Sequence, residues 1–303
     1  MSAGTYYVPE QSRLPIWASF GLFLTVFGAA NWINGSAKGP YLFFAGGLVF
    51  AIVLWNWFRI TISENMAGMN SAQLKRSYVM GMQWFIFSEV MFFAAFFGAL
   101  FYIRTLALPW LSGEGDGVDN PLLWPNFTAE WPLMTTPDMA LNGDAATRLG
   151  PKDSMTFPGW GGLLAWLPLW NTIILLSSSV TVHFAHSAIK NNNRKSFNIW
   201  LGVTVLLGVI FLILQAEEYI HAYHELGLTL QSGIYGTTFF MLTGFHGAHV
   251  TIGTLMLFIM WMRSVLKGHF KPDDNFGFEA ASWYWHFVDV VWVGLFFVVY
   301  VFG

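Results

Sequence analysis

The 303-residue chain has no cysteine. That absence excludes disulfides, Cys-ligated zinc, iron–sulfur clusters and thiol catalysis, and leaves the redox compartment open. Charge is also scarce. Only 10% of residues are Asp, Glu, Lys or Arg, where a soluble domain carries about 25%. The formal net charge of −3 gives no basic surface for nucleic acid. No internal repeat or low-complexity tract breaks the chain. The start, MSAGTYYVPEQSRLP, has no basic segment followed by a short apolar core and a small-residue cleavage site, so the first apolar run reads as a spanning helix.

What is present is apolar. Hydrophobic residues make up 55% of the chain, with 30 Phe and 16 Trp. A spanning helix needs about 20 mostly apolar residues. Seven stretches qualify: 14–32, 40–60, 79–103, 162–186, 197–215, 234–262 and 283–302. The expectation is an all-α polytopic membrane protein, one membrane domain over residues 1–303.

Basic residues give the orientation. With the N-terminus inside, Arg13, Arg59, Lys75, Arg76, Lys190, Arg194, Lys195, Arg263, Lys267 and Lys271 lie on the inner side. Lys38, Arg104, Arg148 and Lys152 lie outside. The expected topology is N-in and C-out. It leaves an inner loop over 61–78, whose Lys75–Arg76 pair suits topology and an anionic headgroup. It also leaves an outer insertion over 104–161. That insertion is acidic, with Glu114, Asp116, Asp119, Glu130, Asp138, Asp144 and Asp153. It reads either as a solvated excursion or as a docking surface.

Eight histidines invite a metal reading. The pairs His183/His186, His221/His224 and His246/His249 each share a helix face. Glu218-x-x-His221 resembles half of a di-iron carboxylate motif. The topology puts the three pairs at three depths, and a second Glu-x-x-His is missing. Satisfied histidines in a packed bundle are expected, and no metal. Gly236, Gly244, Gly247 and Gly253 offer close helix approach. Trp55, Trp57, Trp283 and Trp285 suit an aromatic belt at the inner interface.

Two carboxylates stay unexplained by packing. Glu89, in FIFSEVMFFAAFF, falls roughly 15 Å into its helix at 1.5 Å per residue. A charge there costs about 3 kcal/mol or more, so a partner or a cleft is expected, with His246 or His249 at matching depth. Asp289 stands one turn after His286, and the two are expected to satisfy each other as a structural polar pair.

Several stretches then carry a resemblance. FSEVMFF, YGTTFFMLTGFHGAHV and FGFEAASWYWHFVDVVW, supported by LPLWNTIILLSSSVTVHFAH and LQAEEY, closely resemble subunit III of haem-A cytochrome c oxidases. The resemblance runs from about Trp55 to Val299, apart from the outer insertion. It implies two helices (14–60) and five helices (79–303) flanking a cleft that holds phospholipid. It implies no redox centre in this chain, with haem A and copper in partner subunits. Subunit I is the implied main contact, subunit II a further member and cytochrome c the electron donor. The implied role is non-catalytic: lipid binding, stabilisation of subunit I and support of proton uptake while oxygen is reduced to water. Glu89 matches the family's reactive carboxyl. Trp57, Arg59, Arg263 and His269 match its lipid contacts, with Lys75 and Arg76 standing in where the loop before Gly81 departs from the family pattern. The long insertion points to a bacterial plasma membrane, the mitochondrial inner membrane being the alternative. Subunit III of a quinol oxidase or nitric oxide reductase, and a His-box membrane metalloenzyme, are the competing readings.

Overall fold

The computed structural model describes residues 11–114 and 123–303. Asp116 and Asp119 of the acidic insertion lie outside the described residues. In order, the helices are α1 (Leu14–Ile33), α2 (Gly39–Met66), α3 (Ala72–Tyr102), α4 (Leu108–Leu111), α5 (Pro137–Asn142), α6 (Leu167–Lys190), α7 (Arg194–His224), α8 (Gly233–Lys267) and α9 (Phe276–Leu295). A π-helical turn, Ile103–Ala107, joins α3 to α4, and another, Phe296–Val301, extends α9. No strand occurs among the described residues. Seven helical stretches are long and apolar enough to cross a membrane, so the protein is an all-α polytopic membrane protein. Pro near the first position of α1, α2 and α6 fits helix starts, where its missing N–H costs nothing. Gly268, at φ +60°, closes α8 with a left-handed turn.

The chain divides into two compact units, Met1–Met82 and Gln83–Gly303, with the boundary inside α3. In the first unit α1 and α2 form a tight hairpin. Gly28 faces the Phe43 backbone, and Gly46 faces the backbone of Thr25 and Gly21. Any side chain at these points collides with main chain. Lipid gives helices no hydrophobic reason to associate, so close backbone packing carries this contact.

Helix boundaries differ from those the apolar runs suggest. The expected inner loop 61–78 is mostly helix: α2 continues to Met66 and α3 begins at Ala72, leaving 67–71 as the turn. Ala, Gln, Leu, Lys and Arg at 72–76 are strong helix formers, and a helix need not stop where the apolar run stops. Likewise α9 starts at Phe276 rather than Trp283. Trp285 is therefore nearly three turns in and fully buried, not part of an interfacial belt.

In the second unit α6, α7, α8 and α9 close a ring, each packed on the next and α9 back on α6. The centre is held by indoles bonded to hydroxyls. Trp285 Nε1 donates to Ser178 Oγ and Trp292 Nε1 to Thr172 Oγ1, both at 2.9 Å. Such bonds are worth about 0.6 kcal/mol each within a membrane bundle. Gly208 and Gly253 leave room for the Trp285 ring. Gly247 meets nothing and Gly236 packs on its own preceding turn, so of the four glycines expected to permit helix contact Gly253 has α9 against it (Trp285, 2.9 Å) and Gly244 only the Tyr219 hydroxyl of α7 (3.6 Å). The second-unit part of α3 lies on α8 and α9 through Phe92 on Phe245 and Phe85 stacked on Tyr284.

Residues 123–161 of the insertion form a folded cap over the end of the ring where α6 begins. Lys152 N donates to Leu226 O (2.8 Å), Met155 N to Tyr235 Oη (3.2 Å) and Phe157 N to Tyr300 O (2.9 Å). Asp138 holds the loop together. Its carboxylate accepts from Asn142 Nδ2 (2.7 Å), Arg148 N (2.8 Å) and Thr147 N (2.7 Å) and Oγ1 (3.0 Å). The Asn142 bond, then the Arg148 and Thr147 bonds, lower its pKa to about 2. A carboxylate depressed from about 4 when unfolded stabilises the loop above that value. The contribution is lost as pH falls through about 2. Hydrogen exchange of the Thr147 and Arg148 amides, corrected for intrinsic rate, is therefore expected to accelerate over that window. In Asp138→Asn the acceleration disappears; an unchanged profile would refute the anchor.

Candidate functional site

Glu89 sits on the α8-facing side of α3, in the second unit. His249 Nε2 lies 3.0 Å from Glu89 Oε2, and His249 Nδ1 lies 2.6 Å from Phe245 O. A carbonyl only accepts, so Nδ1 carries a proton and donates it. The Nε2–Oε2 bond then needs one further proton, on either atom. Both arrangements, neutral acid with imidazole or carboxylate with imidazolium, sum to zero charge. A neutral proton-holding pair removes most of the insertion cost of a lone carboxylate. Phe93 packs edge-on to the imidazole at 4.9 Å, and Tyr284 lies parallel at 6.3 Å. The Glu89 side chain keeps 23% of its surface exposed and His249 keeps 11%, so the shared proton is reachable from outside the unit.

His246 does not reach Glu89. Its Nε2 donates to Val288 O (3.2 Å), its ring is packed with Trp292 and Phe211, and its Nδ1 has no partner. The expected His286–Asp289 pair is looser than a hydrogen bond. His286 Nδ1 is 3.6 Å from Asp289 Oδ2 but 2.9 Å from Ser179 Oγ, and neither Asp289 oxygen has a hydrogen-bond partner. Ser179, one helix away on α6, takes the nitrogen that Asp289 was expected to hold.

The residues implied as lipid contacts fall in both units. Trp57, Arg59, Lys75 and Arg76 belong to the first and are exposed. Arg263 and His269 belong to the second. Arg263 lies over the Phe270 ring at 4.7 Å and its Nε approaches His269 Nδ1 at 3.4 Å. Arg194 clamps the same turn, donating to His269 O and Phe270 O at 2.9 Å each. Burial first, then Arg263, Lys267 and Arg194, lower the pKa of the His269 imidazole from its ordinary value.

Two carboxylates have partners that the sequence reading did not assign. Glu218 is fully buried: Tyr300 Oη donates to its Oε1 (2.6 Å) and Asn171 Nδ2 to its Oε2 (3.5 Å). Its spacing from Gln215 inside an apolar run was the available signal. His221, the other half of the Glu-x-x-His spacing set aside above, faces Glu225 at 3.1 Å. Glu279, in the first turn of α9, meets His186 Nε2 (3.1 Å) and Lys190 Nζ (3.7 Å); a carboxylate suits that helix end. Among the described residues no group of three or more His, Cys, Asp or Glu is placed to hold a metal ion.

Sequence comparison places these features. Residues 4–111 and 164–303 match the family profile described as cytochrome c oxidase subunit III. The chain belongs to the cytochrome c oxidase subunit III family. A probable cytochrome c oxidase subunit 3 of Rickettsia conorii is 34% identical over 301 residues, 98% of this chain and 93% of that protein. The cytochrome c oxidase subunit 3 of Prototheca wickerhamii is 36% identical over 299 residues, and that of Dugong dugon 34% over 299, each covering 98% of this chain and 97% of the relative. As a cytochrome c oxidase subunit III the chain is part of an oxidase complex of the respiratory chain. The profile passes over residues 112–163, which include the cap.

Proposed function

We propose that the chain is the non-catalytic third subunit of a proton-pumping cytochrome c oxidase in a bacterial plasma membrane. It packs on subunit I, stabilises it, holds phospholipid and supports proton uptake as oxygen is reduced to water. Subunit II completes the catalytic core, cytochrome c supplies electrons, and haem A and copper reside in those partners. The Glu89–His249 bond carries the reading. It is a partly exposed, proton-holding pair within a span, without net charge at rest and charged only while it has gained or lost a proton. Arg263 favours the lipid role: beyond His269 and the weak acceptor Met260 Sδ its guanidinium retains donors for a phosphate. Trp57, Arg59, Lys75, Arg76 and His269 are assigned to the same headgroup chemistry.

Glu89→Gln keeps the shape and removes the titratable proton. The purified oxidase carrying it is expected to take up protons several-fold more slowly, to inactivate within fewer turnovers and to lose carbodiimide labelling of this chain. Wild-type behaviour in all three measurements would sink the role of Glu89.

A further inference from the structure

The seam between α6 and α9 places polar groups on an outward face within the membrane-spanning length. His286 lies about 15 Å into its span by rise per residue, and 42% of its side chain is exposed. Behind it Asp289 is buried, its oxygens without a hydrogen bond and Oδ2 3.6 Å from His286 Nδ1. An acidic oxygen 3.6 Å from Nδ1 favours the proton on that nitrogen, which Ser179 Oγ then accepts at 2.9 Å. Nε2 is left as a bare acceptor with no partner among the described residues. On α6, one turn from Ser179, His183 is exposed and makes no hydrogen bond or ion pair among the described residues. Apolar Leu176 and Val290, 42% and 71% exposed, border these groups.

Lipid tails offer no hydrogen bond to such groups, and polar side chains inside membranes face protein or water-filled cavities. The middle of α7, diagonal to α9, differs: the exposed positions Leu206, Val209 and Ile213 are apolar, and its exposed acid, Glu217, lies near the helix end. We propose that the α6–α9 seam is the docking face for a transmembrane helix of a partner subunit that presents a hydrogen-bond donor to His286 at mid-span. The proposal rests on the oxidase-subunit reading and says which face of the second unit meets the partner. A donor is the complementary chemistry because His286, with Nδ1 bonded to Ser179 Oγ, leaves Nε2 as the seam's acceptor.

A photocrosslinking benzoylphenylalanine placed at Val290 or at Ile213 in the assembled complex tests the face. The label at 290 is expected to link to another protein subunit, and mass spectrometry of the linked peptide to find Ser, Thr, Tyr, Asn, Gln, His, Trp, Lys or Arg within one turn. The label at 213 is expected to link to lipid only. Linkage to lipid alone at 290, or a linked helix with no donor, would overturn the proposal. In parallel, His286→Leu is expected to release the chain from the complex in detergent several-fold faster, while His286→Gln, which keeps an acceptor, holds it; equal retention of wild type and His286→Leu would also overturn it. If the unsubstituted chain does not co-purify with oxidase subunits at all, the oxidase reading itself fails, an outcome distinct from crosslinking through the wrong face.

Discussion

Glu218→Ala is expected to destabilise the second unit by about 3 kcal/mol, because it strips the acceptor from two buried donors at once. Tyr300 Oη and Asn171 Nδ2 both give their hydrogen bonds to this carboxylate, and neither can turn to water. The truncation also leaves a cavity beside Gln215, whose own amide atoms have no partner. Glu218→Gln keeps an oxygen for the Tyr300 hydroxyl, so its cost is expected near 1 kcal/mol. The measurement is the unfolding midpoint of the purified complex in a graded detergent denaturation, followed on this subunit. Equal losses for Ala and Gln would mean the hydrogen bonds are not what the carboxylate provides. The effect extends to the cap, since the backbone of Tyr300 also receives the Phe157 N–H.

Gly46→Leu is expected to take apart the α1–α2 hairpin. A Cβ at Gly46 runs into Thr25 N and sits 2.8 Å from Gly21 O, both main-chain atoms that cannot rotate aside. Overpacking typically costs 1–3 kcal/mol where side chains yield, and here about 3 kcal/mol or more is expected because backbone must move. Gly47→Leu is the control: a Cβ there meets nothing within 4 Å, and no loss is expected. Limited proteolysis of the turn at 34–38 reads the difference, with rapid cleavage in Gly46→Leu and wild-type resistance in Gly47→Leu. Similar behaviour of the two variants would refute backbone contact as the basis of the hairpin.

Much of the fold was readable from composition alone, because lipid tolerates few architectures and seven apolar runs leave little choice. Their ends were not. Apolar length reports where a helix is greasy, whereas α2 and α9 continue into polar residues that still favour helix. The partner of Glu89 was narrowed to two histidines by depth, and the rotation of α8 that selects His249 over His246 lies beyond a one-dimensional reading. Asp289 shows the limit from the other side. Spacing correctly put His286 one turn away, but the nearer hydroxyl of Ser179 comes from a different helix. Glu218 was masked by a local motif: a histidine three residues on invited pairing along the chain, while its true partners are 47 and 82 residues distant.

That last separation sets a timetable for biosynthesis. Glu218 leaves the ribosome 82 residues ahead of Tyr300, a delay of roughly 4–16 s at ordinary elongation rates. Asn171 is already made, so it is the early companion available to the carboxylate while α7 enters the bilayer. The cap waits as well: it hangs on the Tyr300 carbonyl, and Arg104 reaches across to the carbonyls of Val298 and Phe302. A nascent chain stalled just before Tyr300 would already hold nearly all of the seven described spans and still be unable to close.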